Sequence, residues 1–139
     1  MAGATALLAS KTDETLTKAM ATARGWVSAK ENGGTPSPLL EAAFQEAEVT
    51  LAPIRGFLGL DKVEWAASAA APMPVDVARF FAGLGLIIYD VYGMTETTGS
   101  VTANTPTSFR LGTVGKPLPG LAVALAEAGE ILVRGPVLT

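Results

Sequence analysis

Tyr89–Gly99 reads Tyr-Asp-Val-Tyr-Gly-Met-Thr-Glu-Thr-Thr-Gly and follows the apolar run Leu86-Ile87-Ile88. An apolar strand that gives way abruptly to glycine, hydroxyls and a carboxylate can aim polar groups at a ligand. In open α/β sheets, ligands sit beyond the carboxyl ends of the strands. Each residue type here has a chemistry to offer. Gly93 lets a ligand approach the backbone closely. Thr95, with Thr97 or Thr98, carries hydroxyl donors suited to phosphate oxygens. Glu96 is a hard oxygen ligand of the kind Mg²⁺ takes alongside substrate phosphates. Tyr92 has a flat face on which a base can stack. The same residues also fit a plainer reading: a strand-to-helix turn with a threonine as N-cap and Glu96 in the first turn.

A second segment, Ser68-Ala69-Ala70-Ala71-Pro72, is all small side chains closed by a proline. It can form a narrow floor that exposes backbone groups to a flat ring. It can equally permit close packing of the next helix. Trp65, Phe80 and Phe81 are expected in the core, the two phenylalanines packing a helix against a sheet.

The elements that must position these segments follow from periodicity. Val63, Trp65 and Ala67 alternate with Glu64 and Ala66, which predicts a strand. Pro74 opens a helix with Val77, Phe81 and Leu84 on one face, ending at Gly83 or Gly85. Leu86–Tyr92 is the next strand. Strand, helix and strand make a βαβ unit with parallel strands. Ser68–Pro72 and Tyr92–Gly99 then fall at the same end of two parallel strands and can line one cleft.

Upstream, Thr12 with Asp13 and Glu14 reads as a helix start. Leu16, Met20, Ala23 and Val27 continue at helical spacing until Asn32-Gly33-Gly34. Ser37-Pro38 opens another helix with Leu40, Phe44 and Ala47 on one face. Pro53 is expected to interrupt it, leaving Ile54–Leu60 as a short helix ending at Gly59. Downstream, Val101–Thr105 reads as a short strand and Leu111–Gly120 as irregular. Leu121–Leu125 and Glu130–Arg134 read as a hairpin turning at Glu127–Gly129. The fold class is therefore α/β: a partial parallel sheet with a βαβ unit, N-terminal helices and a C-terminal hairpin. The segments are 1–61 helical, 62–110 βαβ and 111–139 loop and hairpin, all within one domain.

Composition narrows the function. The chain has 139 residues, 49% hydrophobic and 17% charged, which is enough to bury a core. Its net charge is −3 and no Lys/Arg stripe is present, which argues against nucleic acid. Anionic small ligands remain compatible, held by local backbone donors and metal ions. With no histidine and no cysteine, disulfides, thiolate chemistry, the usual zinc sites and Ser-His or Cys-His pairs are excluded. The lack of cysteine fits a cytoplasmic location. Met1–Ser10 has no basic segment before it and reads as a helix or ragged start rather than a signal peptide. No apolar run is long enough to be a transmembrane segment.

Several segments together resemble one family. Tyr92-Gly93-Met94-Thr95-Glu96-Thr97 resembles the Tyr-Gly-x-Thr-Glu motif of AMP-forming acyl-CoA synthetases and related adenylating enzymes. Ser68–Pro72 resembles their upstream Ser-Gly-Ala-Ala-Pro segment. Val114–Gly120 resembles their Val-Gly-Lys-Pro-Leu-Pro-Gly stretch, and Gly129–Gly135 their Gly-Glu-Ile-x-Val-x-Gly motif. The order and spacing are family-like, and the overall character is most similar to bacterial long-chain fatty-acid–CoA ligases.

The resemblance implies a two-step reaction. A carboxylate attacks the α-phosphorus of ATP to give acyl-adenylate and pyrophosphate, and coenzyme A then takes the acyl group. Tyr92, Gly93, Met94 and Thr95 would hold the nucleotide, Tyr92 by stacking on adenine and Thr95 by binding the α-phosphate. Glu96 would hold Mg²⁺, and Thr95 and Glu96 would be the catalytic pair. Ser68, Ala69, Ala70, Ala71 and Pro72 would contact adenine or border the acyl pocket. Ala69 stands where the family has glycine, adding a methyl group beside the ligand. The family's phosphate loop, its ribose-gripping Thr-Gly-Asp segment and its mobile C-terminal domain with a catalytic lysine have no counterpart in these residues. The chain is therefore expected to be an internal part of a longer enzyme, inactive alone, with nucleotide and fatty acid as partners. Self-association through exposed edges and a cytoplasmic, membrane-peripheral location are further expectations.

Overall fold

A computed structural model describes residues 2–136. Among the described residues there are three α-helices, α1 (Ala2–Lys30), α2 (Pro38–Phe57) and α3 (Val75–Gly83). The strands are β1 (Ala66–Ser68), β2 (Ile88–Met94), β3 (Gly99–Ala103), β4 (Lys116–Pro117), β5 (Ala122–Leu125) and β6 (Ile131–Arg134). The chain divides into two compact units. The first takes in α1, Gly34–Ala66 and Arg79–Ile87; the second takes in Glu31–Gly33, Ala67–Ala78 and the chain from Ile88 onward.

The first unit is helical. Ala19 and Ala23 of α1 and Phe44, Ala47 and Leu51 of α2 are buried together with Leu84. Small residues on α1 let α2 approach, and Leu16, Met20, Trp26, Ile54 and Phe81 wrap the core. Trp26 stacks on Phe44 with ring centroids 4.1 Å apart, and its indole N–H donates to Glu41. Arg55 forms a bidentate ion pair with Glu48 and also donates to the Leu84 carbonyl, 2.8 Å away. That hydrogen bond to Glu48 raises the Arg55 pKa above its ordinary value.

Two helix boundaries differ from the expected ones. Thr12 lies inside α1 and is not its start, because α1 runs unbroken from Ala2. Pro53 does not interrupt α2, which continues to Phe57. Proline removes one intrahelical hydrogen bond. Here it sits on the exposed side, with Leu51 fully buried before it and Ile54 packed on the core after it. Those flanking contacts hold the helix on both sides of the break. The Ser37 cap is as expected, its hydroxyl accepting from the Leu40 N–H at 3.2 Å. Asn32, with φ of 55°, turns the chain out of α1.

The second unit carries the sheet, in the order β1-β2-β3-β4. It is partly parallel: β2/β3 and β3/β4 are antiparallel, and β1 with β2 is the parallel step of the βαβ unit. β1 is shorter and later than the Val63–Ala67 alternation predicts, and Trp65 and Val63 are exposed. On α3 the buried positions are Ala78, Ala82 and Gly83, not Val77, which is 42% exposed along with Phe80 at 51%. Of the expected face, Leu84 is buried in the helical core and Phe81 packs against it, while Val77 does not. β5 and β6 form the expected hairpin, paired from Ala122↔Arg134 to Leu125↔Ile131. The last three residues of the 111–139 segment lie outside the described residues.

Candidate functional site

β2 starts and ends two residues later than the expected Leu86–Tyr92. It extends through Gly93 to Met94 and folds straight back on β3 through a single 3-10 turn, Thr95–Thr97. The register shifts between Tyr92 and Gly93, because Tyr92 faces Thr102 while Gly93 faces Ser100. Val101 is the extra residue and is completely buried. The bulge brings the two backbones so close that a Cβ on Gly93 would lie 1.9 Å from the Gly99 carbonyl oxygen. The neighbour that requires glycine at 93 is therefore the chain's own β3, rather than a ligand.

Thr97 holds the turn together. Its hydroxyl accepts from the Met94 N–H at 3.0 Å and lies 2.9 Å and 2.8 Å from the Met94 and Gly99 carbonyl oxygens. It is 2% exposed. That hydroxyl is already engaged and is no phosphate donor, which corrects one of the expected roles. Met94, not a threonine, occupies the N-cap position. Thr98 closes the turn in the left-handed region at φ 57°. Thr95 and Glu96 stand exposed on the outside of the turn.

A cavity of about 210 Å³ lies beside β2. Ala70, Ala71 and Pro72 line it from one segment, and Asp90, Val91, Tyr92 and Gly93 from the other, with Val114 completing the wall. The two segments singled out in the sequence thus do meet. Ser68 ends β1 and is half-buried; Ser68, Ala69, Met94, Thr95 and Glu96 are not among the lining residues. Ala70 adopts φ 74°, a left-handed conformation that an L-residue enters only at a cost.

Two lining residues were not expected from sequence. Asp90 is 9% exposed and its carboxylate has no hydrogen bond or ion pair among the described residues. A charge set in the run Leu86–Val91 was its only signal. Val114 is delivered by a loop pinned through Asn104. The Asn104 side chain donates to the carbonyls of Asp90 (3.1 Å) and Thr113, and accepts from the Arg110 N–H at 3.0 Å. A ring-stacking face, the Asp90 carboxylate and an apolar wall suit a flat heterocycle that bears a hydrogen-bond donor.

The family described as AMP-binding enzyme matches residues 1–139. The chain belongs to that family. It is 42% identical over 142 residues to a protein of Mycobacterium tuberculosis named putative fatty-acid–CoA ligase fadD11, covering 99% of this chain and 25% of that protein. It is 38% identical over 118 residues to long-chain-fatty-acid–CoA ligase FadD15 of Mycobacterium bovis, covering 84% of this chain and 19% of the relative. A solved malonyl-CoA ligase, a complex with methylmalonyl-CoA and AMP bound, superposes with a TM-score of 0.48 at 34% identity, covering 64% of this chain and 23% of its own. The chain therefore spans about a quarter or less of the length of the curated relatives it matches.

Proposed function

We propose that these residues form part of the adenine-nucleotide site of an AMP-forming long-chain fatty-acid–CoA ligase. The reaction would join a fatty acid to ATP as acyl-adenylate with release of pyrophosphate, and pass the acyl group to the thiol of coenzyme A with release of AMP. The observation that carries this reading is the cavity in which Ala70–Pro72 meets Asp90–Gly93. Its volume, about 210 Å³, lies below the roughly 300–1,000 Å³ of pockets that hold a whole drug-sized ligand. It suits one ring system with the remainder of the ligand outside.

In this reading Tyr92 stacks on adenine and Asp90 accepts from its exocyclic amine. Ala70, Ala71 and Pro72 form the opposite wall, with Ser68 and Ala69 behind them. Gly93 and Met94 carry the backbone from the ring toward the phosphates. Thr95 donates its hydroxyl to the α-phosphate. Glu96 fits a Mg²⁺ site as a single exposed carboxylate, since Mg²⁺ usually takes one or two carboxylates plus substrate phosphates and water. No group of three metal-ligating side chains occurs among the described residues, so phosphate oxygens would complete the set. When bound, the ion would neutralise charge growing on the phosphoryl oxygens. The chain's own contribution is to hold the ring, orient the α-phosphate and keep water from the apolar wall.

The test is nucleotide binding by the 139-residue chain. AMP should quench or shift the signal of Tyr92 saturably, and Asp90→Ala should weaken AMP more than it weakens inosine monophosphate, which lacks the amine. Equal loss for both nucleotides, or no binding at all, would sink the reading. Turnover is a separate matter. Transition-state stabilisation needs several converging charges, and this stretch supplies one carboxylate and one hydroxyl. With palmitate, ATP–pyrophosphate exchange by these residues alone should not exceed that of Glu96→Ala.

A second reading is association. Leu39, Val49 and Phe57 of α2 are 82%, 79% and 92% exposed, an apolar display that favours contact with further protein or a membrane surface. Concentration-dependent sedimentation that is abolished by Phe57→Lys would support it.

A further inference from the structure

The loop between β3 and β4 borders a second, open cavity in the sheet-bearing unit. It measures about 230 Å³ and is lined by Asn32, Asn104, Ser108, Phe109, Arg110, Thr113, Gly115 and Lys116. No carboxylate lines it. The Arg110 guanidinium, the Lys116 ammonium and the Ser108 hydroxyl have no hydrogen bond or ion pair among the described residues. In a chain of net charge −3, two cationic residues line one concavity with no carboxylate among its lining residues.

The cavity is also held in shape. Asn104 Oδ1 accepts from the Arg110 N–H at 3.0 Å, which fixes the backbone that presents the guanidinium. Lys116 pairs with Ala103 in the β3/β4 ladder. The Asn32 N–H donates to the Phe109 carbonyl at 2.8 Å, bringing a further amide side chain to the rim. Gly115 presses on β3 so tightly that a Cβ there would lie 2.0 Å from the Ala103 carbonyl, so the loop has no room to slide.

We propose that this cavity is an oxyanion site for a phosphate group. A guanidinium, an ammonium and a hydroxyl belong to residues lining the cavity, and the four oxygens of a phosphate can take all three donors where a carboxylate offers two oxygens. The site does not depend on the nucleotide reading of the neighbouring cavity, from which it differs in every lining residue.

The experiment is a two-dimensional amide NMR titration of the chain at constant ionic strength. The probes are inorganic phosphate, pyrophosphate, AMP and, as a planar control, acetate. Phosphate should give saturable shifts at Ser108, Arg110, Gly115 and Lys116, and acetate should not. Arg110→Gln and Lys116→Gln, both surface changes, should each weaken phosphate about fivefold, as expected for an exposed ion pair. Tighter binding of pyrophosphate or AMP than of inorganic phosphate at these same amides would assign the group to a larger phosphorylated molecule. A parallel readout is melting temperature, which phosphate should raise over chloride in the unaltered chain and not in the Arg110→Gln, Lys116→Gln pair. Non-saturable shifts, equal response to acetate, or undiminished binding in both variants would overturn the proposal.

Discussion

The side-chain amide of Asn104 and its backbone N–H both donate to one oxygen, the carbonyl of Asp90, each across 3.1 Å. One residue thereby ties β2 to the loop that supplies Val114 to the first cavity and Arg110 to the second. Asn104 is 4% exposed.

Asn104→Ala leaves the Thr113 carbonyl and the Arg110 N–H without their side-chain partner. Buried groups orphaned in this way cost about 1–3 kcal/mol each, discounted where the loop opens to solvent. A loss of about 2 kcal/mol is expected in urea unfolding. Asn104→Asp should be nearly as damaging, because a carboxylate cannot donate to the two carbonyls. An unchanged midpoint in either variant would contradict the account.

The glycine of the Tyr-Gly-x-Thr-Glu stretch makes a sharper case. Gly93→Ala puts a methyl group 1.9 Å from the Gly99 carbonyl and 2.8 Å from the Ser100 Cα. Both neighbours are backbone, and neither can rotate away. The β2/β3 hairpin must open or shift register, so the loss should exceed about 3 kcal/mol. Circular dichroism with ligand absent is decisive here. A folded Gly93→Ala chain that has lost only nucleotide affinity would restore the ligand-approach role.

These cases mark what could be read from residues alone. The βαβ unit, the Ser37 cap and the terminal hairpin were legible because each depends on neighbours in sequence. The meeting of Ala70–Pro72 with Tyr92 was legible too, since parallel strands force it. What was hidden is cross-chain. Thr97 looked like a phosphate donor until its hydroxyl was seen to serve Met94 and Gly99. Pro53 looked like a helix stop because the burial of Leu51 and Ile54's packing on the core are tertiary facts. Asp90 and Val114 share a cavity only because Asn104 folds one onto the other.

Ala70 is the strained position of the site. At φ 74° its Cβ crowds its own backbone. Glycine would remove that penalty but enlarge the unfolded ensemble. The balance favours Ala70→Gly by about 1 kcal/mol, read as a higher urea midpoint with an unchanged slope. If the variant is less stable, contacts of the Ala70 methyl in the cavity wall outweigh the strain. Ala69→Gly, at a position not in the left-handed region, should instead be neutral or destabilising.

Tyr89 supplies the pH dependence. It is 8% exposed and packs edge-on against Phe109, with ring centroids 5.7 Å apart. Burial raises its pKa above the ordinary value of 10.0. The unfolded chain then loses this proton before the folded chain does. Below pH 10 the two states bind it equally and stability is flat with respect to this group. As pH climbs from 10 toward the folded value, the unfolded state holds fewer protons and stability falls. Lysines titrate in the same range, so the informative quantity is a difference. Urea midpoints taken from pH 8 to 11 should decline more steeply for the unaltered chain than for Tyr89→Phe. Tyr89→Phe lacks this titration, so the stability difference between the two chains should move in the variant's favour as pH rises above 10. Parallel declines would show that the phenol is as free to ionise in the fold as in the unfolded chain.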